Sequence, residues 1–222
     1  MGTERSLFDI FGPVMIGPSS SHTAGAVRLG RLARAVFGSV PKRAVMQLHG
    51  SFASTGKGHG TELALTAGLL GMGPDDPAIV TADQAAVDAG LEVVFETADL
   101  GEVHPNTVRF ELSDGGKELS LQGSSTGGGE VLLTRIADFD VMANGLLPLL
   151  LVEHKDSLGE IAAVTGQIAG DGANIAEMRV SRRRRGDAAL MLIETDTPVS
   201  DAAVESIEHL QGVTRVRRVP PI

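Results

Sequence analysis

The order of apolar segments in residues 146–222 constrains the fold more than any other feature of the sequence. Strand, helix, strand, strand, helix and strand are predicted at 146–154, 157–169, 174–181, 188–195, 201–210 and 213–219. This βαββαβ order is that of the ferredoxin-like fold. The helix at 157–169 is amphipathic, and its spacing predicts these inward side chains: Leu158, Ile161, Ala162, Ile168 and Ala169.

Residues 1–145 are organised differently, with Gly, Ser and His clustered in short runs. A polar stretch before Asn144-Gly145 places the boundary between residues 145 and 146, which predicts the domains 1–145 and 146–222. In the first domain we predict helices at 22–37 and 61–72, strands at 43–48, 90–95, 107–112, 117–121 and 131–136, a Gly-punctuated stretch at 51–60 and a Ser/Gly loop at 124–129. The fold class is therefore α+β or α/β.

Composition excludes several classes of function. The net charge of −9 disfavours nucleic acid and anionic membrane as partners, and the cations at 182–185 are interpreted as a solvated hairpin tip. The chain has no cysteine, so it has no disulfide, thiol nucleophile or thiolate metal site of its own. No apolar run reaches the length of a bilayer, and residues 1–10 lack the pattern of a secretion signal, so we expect a cytoplasmic protein.

The first candidate site is Ser19-Ser20-Ser21-His22-Thr23, which follows Gly17-Pro18 at a predicted helix start. Unpaired N–H groups and hydroxyls at a helix start suit a carboxylate or phosphate. His22 would lie beside the bound anion and can transfer protons near neutral pH. The alternative is an N-capped helix with surplus serines.

The second candidate site is Gly58-His59-Gly60-Thr61, at another predicted helix start. Glycines on both sides of His59 let a ligand approach the backbone closely. A surface histidine in a flexible loop is the alternative. Two histidines at two helix starts can share general base and general acid roles if the fold brings them together.

Two weaker motifs follow. His104-Pro105-Asn106-Thr107 leads into a strand, where Asn106 would orient a substrate; a turn is the alternative. Gly127-Gly128-Gly129 follows hydroxyl residues and would cradle an anion, with a flexible hairpin end as the alternative. We find no cluster with metal-ligand spacing, and we treat His49, His154 and His209 as structural.

Four motifs occur together and in order: Gly17-Pro18-Ser19-Ser20-Ser21-His22-Thr23, Gly58-His59-Gly60-Thr61, His104-Pro105-Asn106-Thr107 and Gly127-Gly128-Gly129. With them the chain resembles, over essentially its whole length, the beta subunits of two-chain, iron–sulfur-dependent L-serine dehydratases (L-serine ammonia-lyases). There are two departures. Glu62 stands where the family leads us to expect Asp, and Ser125-Thr126 stand where an apolar residue is more usual.

Each domain carries its own resemblance. Residues 1–145 resemble the allosteric substrate-binding domain of some phosphoglycerate dehydrogenases. Residues 146–222 resemble an ACT domain, a regulatory module that often binds amino acids at a shared interface. The residues that match its turns, and that we expect to be regulatory, are Asp156, Gly159, Asn174 and Ile175. ACT units usually pair edge to edge, which implies a homodimer through these domains or a heterotetramer.

The resemblance implies a reaction, a cofactor and a partner. L-serine would be deaminated to pyruvate and ammonia, in amino-acid metabolism and gluconeogenesis, only together with an alpha subunit. That subunit would carry a 4Fe–4S cluster that binds the serine hydroxyl as a Lewis acid; no metal ligand is expected on this chain. We expect His59 to take the Cα proton and His22 to act as the second acid/base or orienting group, although the assignment between the two stays open. The expected substrate-binding residues are Ser19, Ser20, Ser21, Thr23, Gly60, Thr61, Asn106, Gly127, Gly128 and Gly129.

A binding module is the competing hypothesis. A free-standing amino-acid sensor would use the same two domains to regulate another enzyme and would need neither His22 nor His59. The sequence does not distinguish serine from threonine as substrate, because one methyl group discriminates only modestly.

Overall fold

The computed structural model describes residues 14–222, so the expectation about residues 1–10 lies outside the described part of the chain. The chain divides after Thr134 into two compact units, residues 1–134 and 135–222. The domain boundary predicted between residues 145 and 146 stays a prediction. Among the helices of residues 14–222, none has the length and apolar character needed to cross a membrane.

The first unit begins, in its described part, with a π-helical turn at Ser20–Ala24 that runs directly into helix α1, Gly25–Phe37. The other helical segments are α2 (Gly50–His59), α3 (Thr61–Leu70), a 3₁₀ helix (Pro77–Thr81) and α4 (Ala82–Asp88). The strands of the six-stranded sheet are β1 (Arg43–Leu48), β2 (Glu92–Thr97), β3 (Thr107–Ser113), β4 (Glu118–Gly127), β5 (Glu130–Ile136), which extends past Thr134, and β6 (Phe139–Ala143), which belongs to the second unit. They form one sheet in the order β2-β1-β3-β4-β5-β6. β1 pairs parallel with β2 and antiparallel with β3.

The strands predicted at 107–112 and 117–121 are confirmed as β3 and β4, which pair as an antiparallel hairpin from Thr107↔Ser124 to Ser113↔Glu118. Other local predictions were wrong. The Gly-punctuated stretch at 51–60 is helix α2, and residues 124–127 extend strand β4 rather than forming a loop. Helix α4 and strand β6 had no counterpart in the sequence prediction. Glycine and serine obscured α2 and β4 because their intrinsic propensities oppose regular structure, and tertiary packing overrides such propensities.

Helices α1 and α3 touch backbone to backbone at two glycines. A Cβ on Gly30 would lie 2.9 Å from the Cα of Gly68 and closer still to the Leu65 carbonyl oxygen. A Cβ on Gly68 would collide with the Val27 carbonyl oxygen. Only glycine permits this approach. This close approach of the two helices holds the segment before α1 near the segment before α3. The two histidine motifs lie in these segments.

The second unit confirms the predicted βαββαβ order. Its elements are β7 (Leu149–Lys155), α5 (Glu160–Gly170), β8 (Ile175–Arg182), β9 (Ala188–Thr195), α6 (Asp201–Glu208) and β10 (Val213–Val219). The strand order is β10-β7-β9-β8, and the three pairings are antiparallel. The core between this sheet and the two helices includes Leu150, Val152, Ile168, Met191 and Ile207. The two units together give the predicted mixed α/β class.

The inward face predicted for helix α5 was largely wrong. Val164 and Ile168 are its buried residues, whereas Ile161 keeps 47% of its surface exposed and Leu158 is fully exposed. The helix begins at Glu160, after Gly159 in the left-handed region (φ +91°), so Leu158 precedes it. Ala162 and Ala169 are exposed as well. Val164 and Ile168, four residues apart, therefore define the buried face of this helix.

Candidate functional site

His22 lies in the π-helical turn, where two hydroxyl groups from α2 meet its ring. Its Nε2 is 3.1 Å from Ser51 Oγ and 3.0 Å from Thr55 Oγ1. The hydroxyl of Ser19 caps the turn by accepting the His22 N–H at 3.1 Å. The same hydroxyl lies 3.5 Å from His22 Nδ1. Both ring nitrogens therefore face hydroxyl groups, as expected for a histidine held in one orientation.

One face of α2 carries the groups that surround His22. Ser51, Thr55 and His59 are spaced four residues apart, so a helix presents all three on the same side. Nδ1 of His59 donates a hydrogen bond to the Thr55 carbonyl at 3.0 Å. The His22 and His59 rings lie 4.9 Å apart between centroids and are tilted by 36°. Phe52 packs edge-on against His22 at 5.4 Å. The structure thus brings together the two histidines that the sequence singled out.

Two reciprocal hydrogen bonds join the histidine motifs. The Thr23 hydroxyl donates to the His59 carbonyl at 3.2 Å, and the Thr61 hydroxyl donates to the His22 carbonyl at 3.1 Å. Both threonines are buried. Gly60, between α2 and α3, has φ +68°, a conformation that favours glycine. Thr23, Gly60 and Thr61 therefore hold the two motifs as one structure.

The third motif lies against the start of α2. The Pro105 carbonyl accepts the Ser51 N–H at 2.8 Å. The Asn106 carbonyl accepts the N–H of Ser125 on β4 at 3.0 Å. Within residues 14–222, Asn106 Oδ1 and Ser125 Oγ are buried without a hydrogen-bond partner. A Cβ on Gly25, where α1 begins, would collide with Ser125 Oγ. Asn106 and Ser125 thus connect this motif to the base of the His22 turn.

The glycine motif forms the turn between β4 and β5. Gly127, Gly128 and Gly129 have φ values of +114°, +60° and +83°. Arg28 of α1 donates to the Gly129 carbonyl at 3.1 Å, which ties this turn to the helix that follows His22. Burial lowers the pKa of Arg28 from its usual value. Ser20 and Ser21 lie in the π-helical turn, and the Ser20 carbonyl accepts the N–H of Gly25.

The electrostatics of the pair favour a neutral His22. Burial is the largest influence and lowers the pKa of His22 below its usual range. The nearby His59 also lowers that pKa, and the Ser51 backbone opposes the shift. A neutral imidazole retains a lone pair, so this site can accept a proton at neutral pH. The surrounding hydroxyls can bind a carboxylate or an amino-acid hydroxyl.

The site offers nothing that would hold an iron–sulfur cluster. The chain has no cysteine. Across residues 14–222, no three or more His, Cys, Asp or Glu side chains come together as a possible metal site. Because such clusters are held by cysteine thiolates, the residues of this chain do not fit that cofactor.

The expected regulatory residues lie in two separate hydrogen-bonded corners of the second unit. Asp156 accepts hydrogen bonds from Arg182 and from the Gly186 N–H, each at 2.9 Å, and these bonds lower the pKa of Asp156. Asn174, just before Ile175 opens β8, donates to Asp196 at 2.8 Å. The arginine run is largely neutralised, because Arg182, Arg183 and Arg184 pair with Asp156, Asp138 and Asp187. These pairs support the interpretation of a solvated hairpin tip.

Sequence reasoning missed Ser51 and Thr55. Both lie in the Gly-punctuated stretch predicted at 51–60, which was not assigned to a helix, so the spacing of its side chains was not used. The available signal was a hydroxyl four and eight residues before His59, a spacing that places all three on one helical face. The Thr66 hydroxyl donates a hydrogen bond to the Glu62 carbonyl at 2.9 Å. Nδ1 of His59 is held by the Thr55 carbonyl.

Comparison with known proteins identifies the family to which the chain is similar. A family model described as "Serine dehydratase beta chain" matches residues 6–135. The chain is 44% identical over 215 residues to "Probable L-serine dehydratase, beta chain" of Bacillus subtilis (strain 168), covering 97% of this chain and 98% of that protein. It is 35% identical over 219 residues to "L-serine dehydratase, beta chain" of Peptoniphilus asaccharolyticus, covering 98% and 99%. Among solved structures, the ACT domain from GTP pyrophosphokinase of Chlorobium tepidum is 19% identical, covers 33% of this chain and 97% of that domain, and has a TM-score of 0.27.

Proposed function

Because the chain belongs to the serine dehydratase beta-chain family, we propose that it is the beta subunit of an L-serine dehydratase, which forms pyruvate and ammonia from L-serine together with an alpha subunit. Identities of 44% and 35% over nearly whole chains support this function. The observation that carries it is the His22–His59 pair, with ring centroids 4.9 Å apart, whose carbonyls are tied by Thr61 and Thr23.

His59 is the proposed base for the Cα proton. Its Nδ1 hydrogen is donated to the Thr55 carbonyl, so its lone pair is on Nε2. His22 is the proposed second acid/base or orienting group. A depressed pKa keeps His22 neutral and limits charge repulsion when His59 takes up a proton. Removal of the Cα proton from L-serine and loss of its hydroxyl give aminoacrylate, which hydrolyses to pyruvate and ammonia.

The substrate is proposed to bind between the hydroxyl-bearing motifs. Ser19, Ser20, Ser21 and Thr23 would receive the carboxylate, with Gly60 and Thr61 lining the approach to His59. Asn106 would orient the amino acid through the side-chain oxygen that is left without a partner among residues 14–222. Gly127, Gly128 and Gly129 would contribute backbone N–H groups from a turn with positive φ values, and as glycines they have no Cβ atom to obstruct a ligand.

We place the 4Fe–4S cluster on the alpha subunit, since the residues of this chain do not fit it. Every step assigned above is one that side chains of this chain perform.

Pairing of ACT domains as a homodimer, or assembly into a heterotetramer, is proposed through β8, which lies at the edge of its sheet. Asp156, Gly159, Asn174 and Ile175 remain the proposed regulatory residues. The cytoplasmic location and the metabolic role expected from the sequence stay predictions.

Anaerobic copurification tests the proposed function. The tagged chain is isolated from its own cells, and the fraction is assayed for pyruvate formation from L-serine. We expect a stoichiometric, brown, cysteine-rich partner and serine-dependent pyruvate. A chain that purifies alone, or with a colourless partner inactive on serine, would contradict the proposal. Binding of an amino acid to that isolated chain would then favour the sensor.

A further inference from the structure

Thr55 is in contact with both imidazole rings of the site. Its hydroxyl oxygen lies 3.0 Å from His22 Nε2, and its carbonyl oxygen lies 3.0 Å from His59 Nδ1. One residue, which sequence reasoning did not select, thus meets one nitrogen of each ring. The two contacts use different parts of Thr55, a side chain and a backbone group, so a substitution can separate them.

The hydrogen-bond partners of the Thr55 hydroxyl favour one tautomer of His22. The Thr55 hydroxyl has a single hydrogen, and it lies 2.9 Å from the Ser51 carbonyl, which can only accept. The hydroxyl oxygen must then receive a hydrogen from His22 Nε2. With the opposite tautomer, the Ser51 hydroxyl could donate to Nε2 at 3.1 Å, but the lone pairs of Nε2 and of Thr55 Oγ1 would face each other at 3.0 Å. That tautomer would also depend on the contact of Nδ1 with Ser19 Oγ at 3.5 Å, which is at the limit of a hydrogen bond.

The tautomer of His59 is opposite. A carbonyl oxygen accepts only, so Nδ1 of His59 carries the hydrogen that it shares with Thr55. The lone pair is on Nδ1 in His22 and on Nε2 in His59.

We propose that Thr55 is a positioning residue that holds the two histidines in opposite tautomers, Nε2–H for His22 and Nδ1–H for His59. This role rests on the proposed function, in which His59 Nε2 takes the proton. Without the Thr55 hydroxyl, the Ser51 hydroxyl is the group left at His22 Nε2, and because a hydroxyl can either donate or accept, both tautomers of His22 become possible. The His59 tautomer survives, since any residue at position 55 retains a carbonyl.

Nitrogen NMR of the full chain measures these tautomers directly, because protonated and unprotonated imidazole nitrogens resonate far apart. The chain has six histidines, and single substitutions assign them. At a pH where both rings are neutral, we expect the wild type to show Nε2–H for His22 and Nδ1–H for His59. Thr55→Val should mix the tautomers of His22 and leave His59 unchanged. Thr55→Ser should restore the wild-type pattern.

Thr165 provides the matched control. It lies in helix α5 and donates to the Ile161 carbonyl at 2.8 Å, the same local bond that Thr55 makes with Ser51. Thr165→Val should change neither histidine. With the alpha subunit, Thr55→Val should lower kcat by about 10- to 100-fold with a smaller change in KM, the usual range for a group that orients a catalytic residue. Thr55→Ser should recover most of that activity.

Two results would overturn the positioning role. One is a wild-type His22 with hydrogen on Nδ1, a measurement that requires no variant to fold. The other is a folded Thr55→Val chain that retains the His22 tautomer and wild-type turnover. The outcomes for the proposed function are separate: a reconstituted wild type that makes no pyruvate from L-serine refutes the function and leaves the tautomers measurable in this chain alone.

Discussion

His59 in the first unit and His209 in the second make the same local hydrogen bond. Each lies at the end of a helix and donates from Nδ1 to the carbonyl four residues earlier, at 3.0 Å for His59 and 2.7 Å for His209. Their surroundings differ. His59 faces a second imidazole, and its own carbonyl is held by a threonine from another motif. The local pattern therefore does not create a site; convergence of distant segments does.

The two units use glycine in correspondingly different ways. In the first unit, Gly30 and Gly68 let two helices touch, and Gly60 reverses the chain between His59 and Thr61. In helix α5 of the second unit, a Cβ on Gly166 or Gly170 would meet open space. The first unit is tightly constrained around its candidate site, whereas the second is a regular scaffold.

The strongest test of this contrast is a pair of histidine substitutions. His59→Ala in the reconstituted enzyme should lower kcat by about 10²- to 10⁴-fold, the usual contribution of a general base. His209→Ala removes the equivalent hydrogen bond and should leave kcat within about twofold. Steady-state pyruvate formation measures both. Near wild-type turnover of His59→Ala would contradict its role as base.

A glycine pair tests the packing side of the contrast. Gly30→Ala places a methyl group against the α3 backbone, where neither helix can yield locally, and should cost about 1–3 kcal/mol of unfolding free energy. Gly166→Ala should stabilise the chain by about 0.5–1 kcal/mol, because alanine is the better helix former and the site is open. Urea unfolding followed by circular dichroism is suitable, since the chain has neither Trp nor Tyr. Equal changes in unfolding free energy for Gly30→Ala and Gly166→Ala would contradict the difference in glycine packing between the two units.

The threonine bridges give a smaller effect. Thr61→Val preserves shape but leaves the His22 carbonyl without its donor, so we expect a loss of about 1 kcal/mol. Thr165→Val removes a bond within one exposed helical turn and should change stability by less than about 0.5 kcal/mol. The same unfolding measurement compares them, and reduced turnover should accompany Thr61→Val alone.

The smallest expected effect is an opposite response of the two units to pH. The pKa of His22 is lowered mainly by burial, so its neutral form is favoured on folding and stability is lost as pH falls through that pKa. The pKa of the buried Glu194 on β9 is raised by burial and by Glu177, so stability present at low pH is lost as pH rises through it. In a plot of the unfolding midpoint against pH, His22→Asn should reduce the loss of stability as the pH falls through the pKa of His22. Glu194→Gln should reduce the loss of stability as the pH rises through the pKa of Glu194. Parallel profiles for both variants and the wild type would exclude these contributions.

The same contrast explains what could be predicted from the sequence. In the second unit, the strands at 188–195 and 213–219 were predicted at their observed limits, because their β-branched and apolar residues are bounded by clear turns. In the first unit the histidine motifs were identifiable from their flanking residues. The helix that carries Ser51 and Thr55 was not, because its glycines disfavour helix locally and its stability comes from contacts with distant segments. The spacing of residues along the sequence gives no information about contacts between such distant segments.

The reciprocal bonds between the histidine motifs have a consequence for the energetics of assembly. Thr23 and Thr61 align the two rings when the chain folds, before a partner or an amino acid arrives. The conformational entropy of these segments is therefore lost when the chain folds, and burial of the apolar side chains of α1 and α3 compensates for that loss. Association then finds a preorganised pair of imidazoles and loses little further freedom at them, so the interaction energy of the bound amino acid remains available for the chemical step.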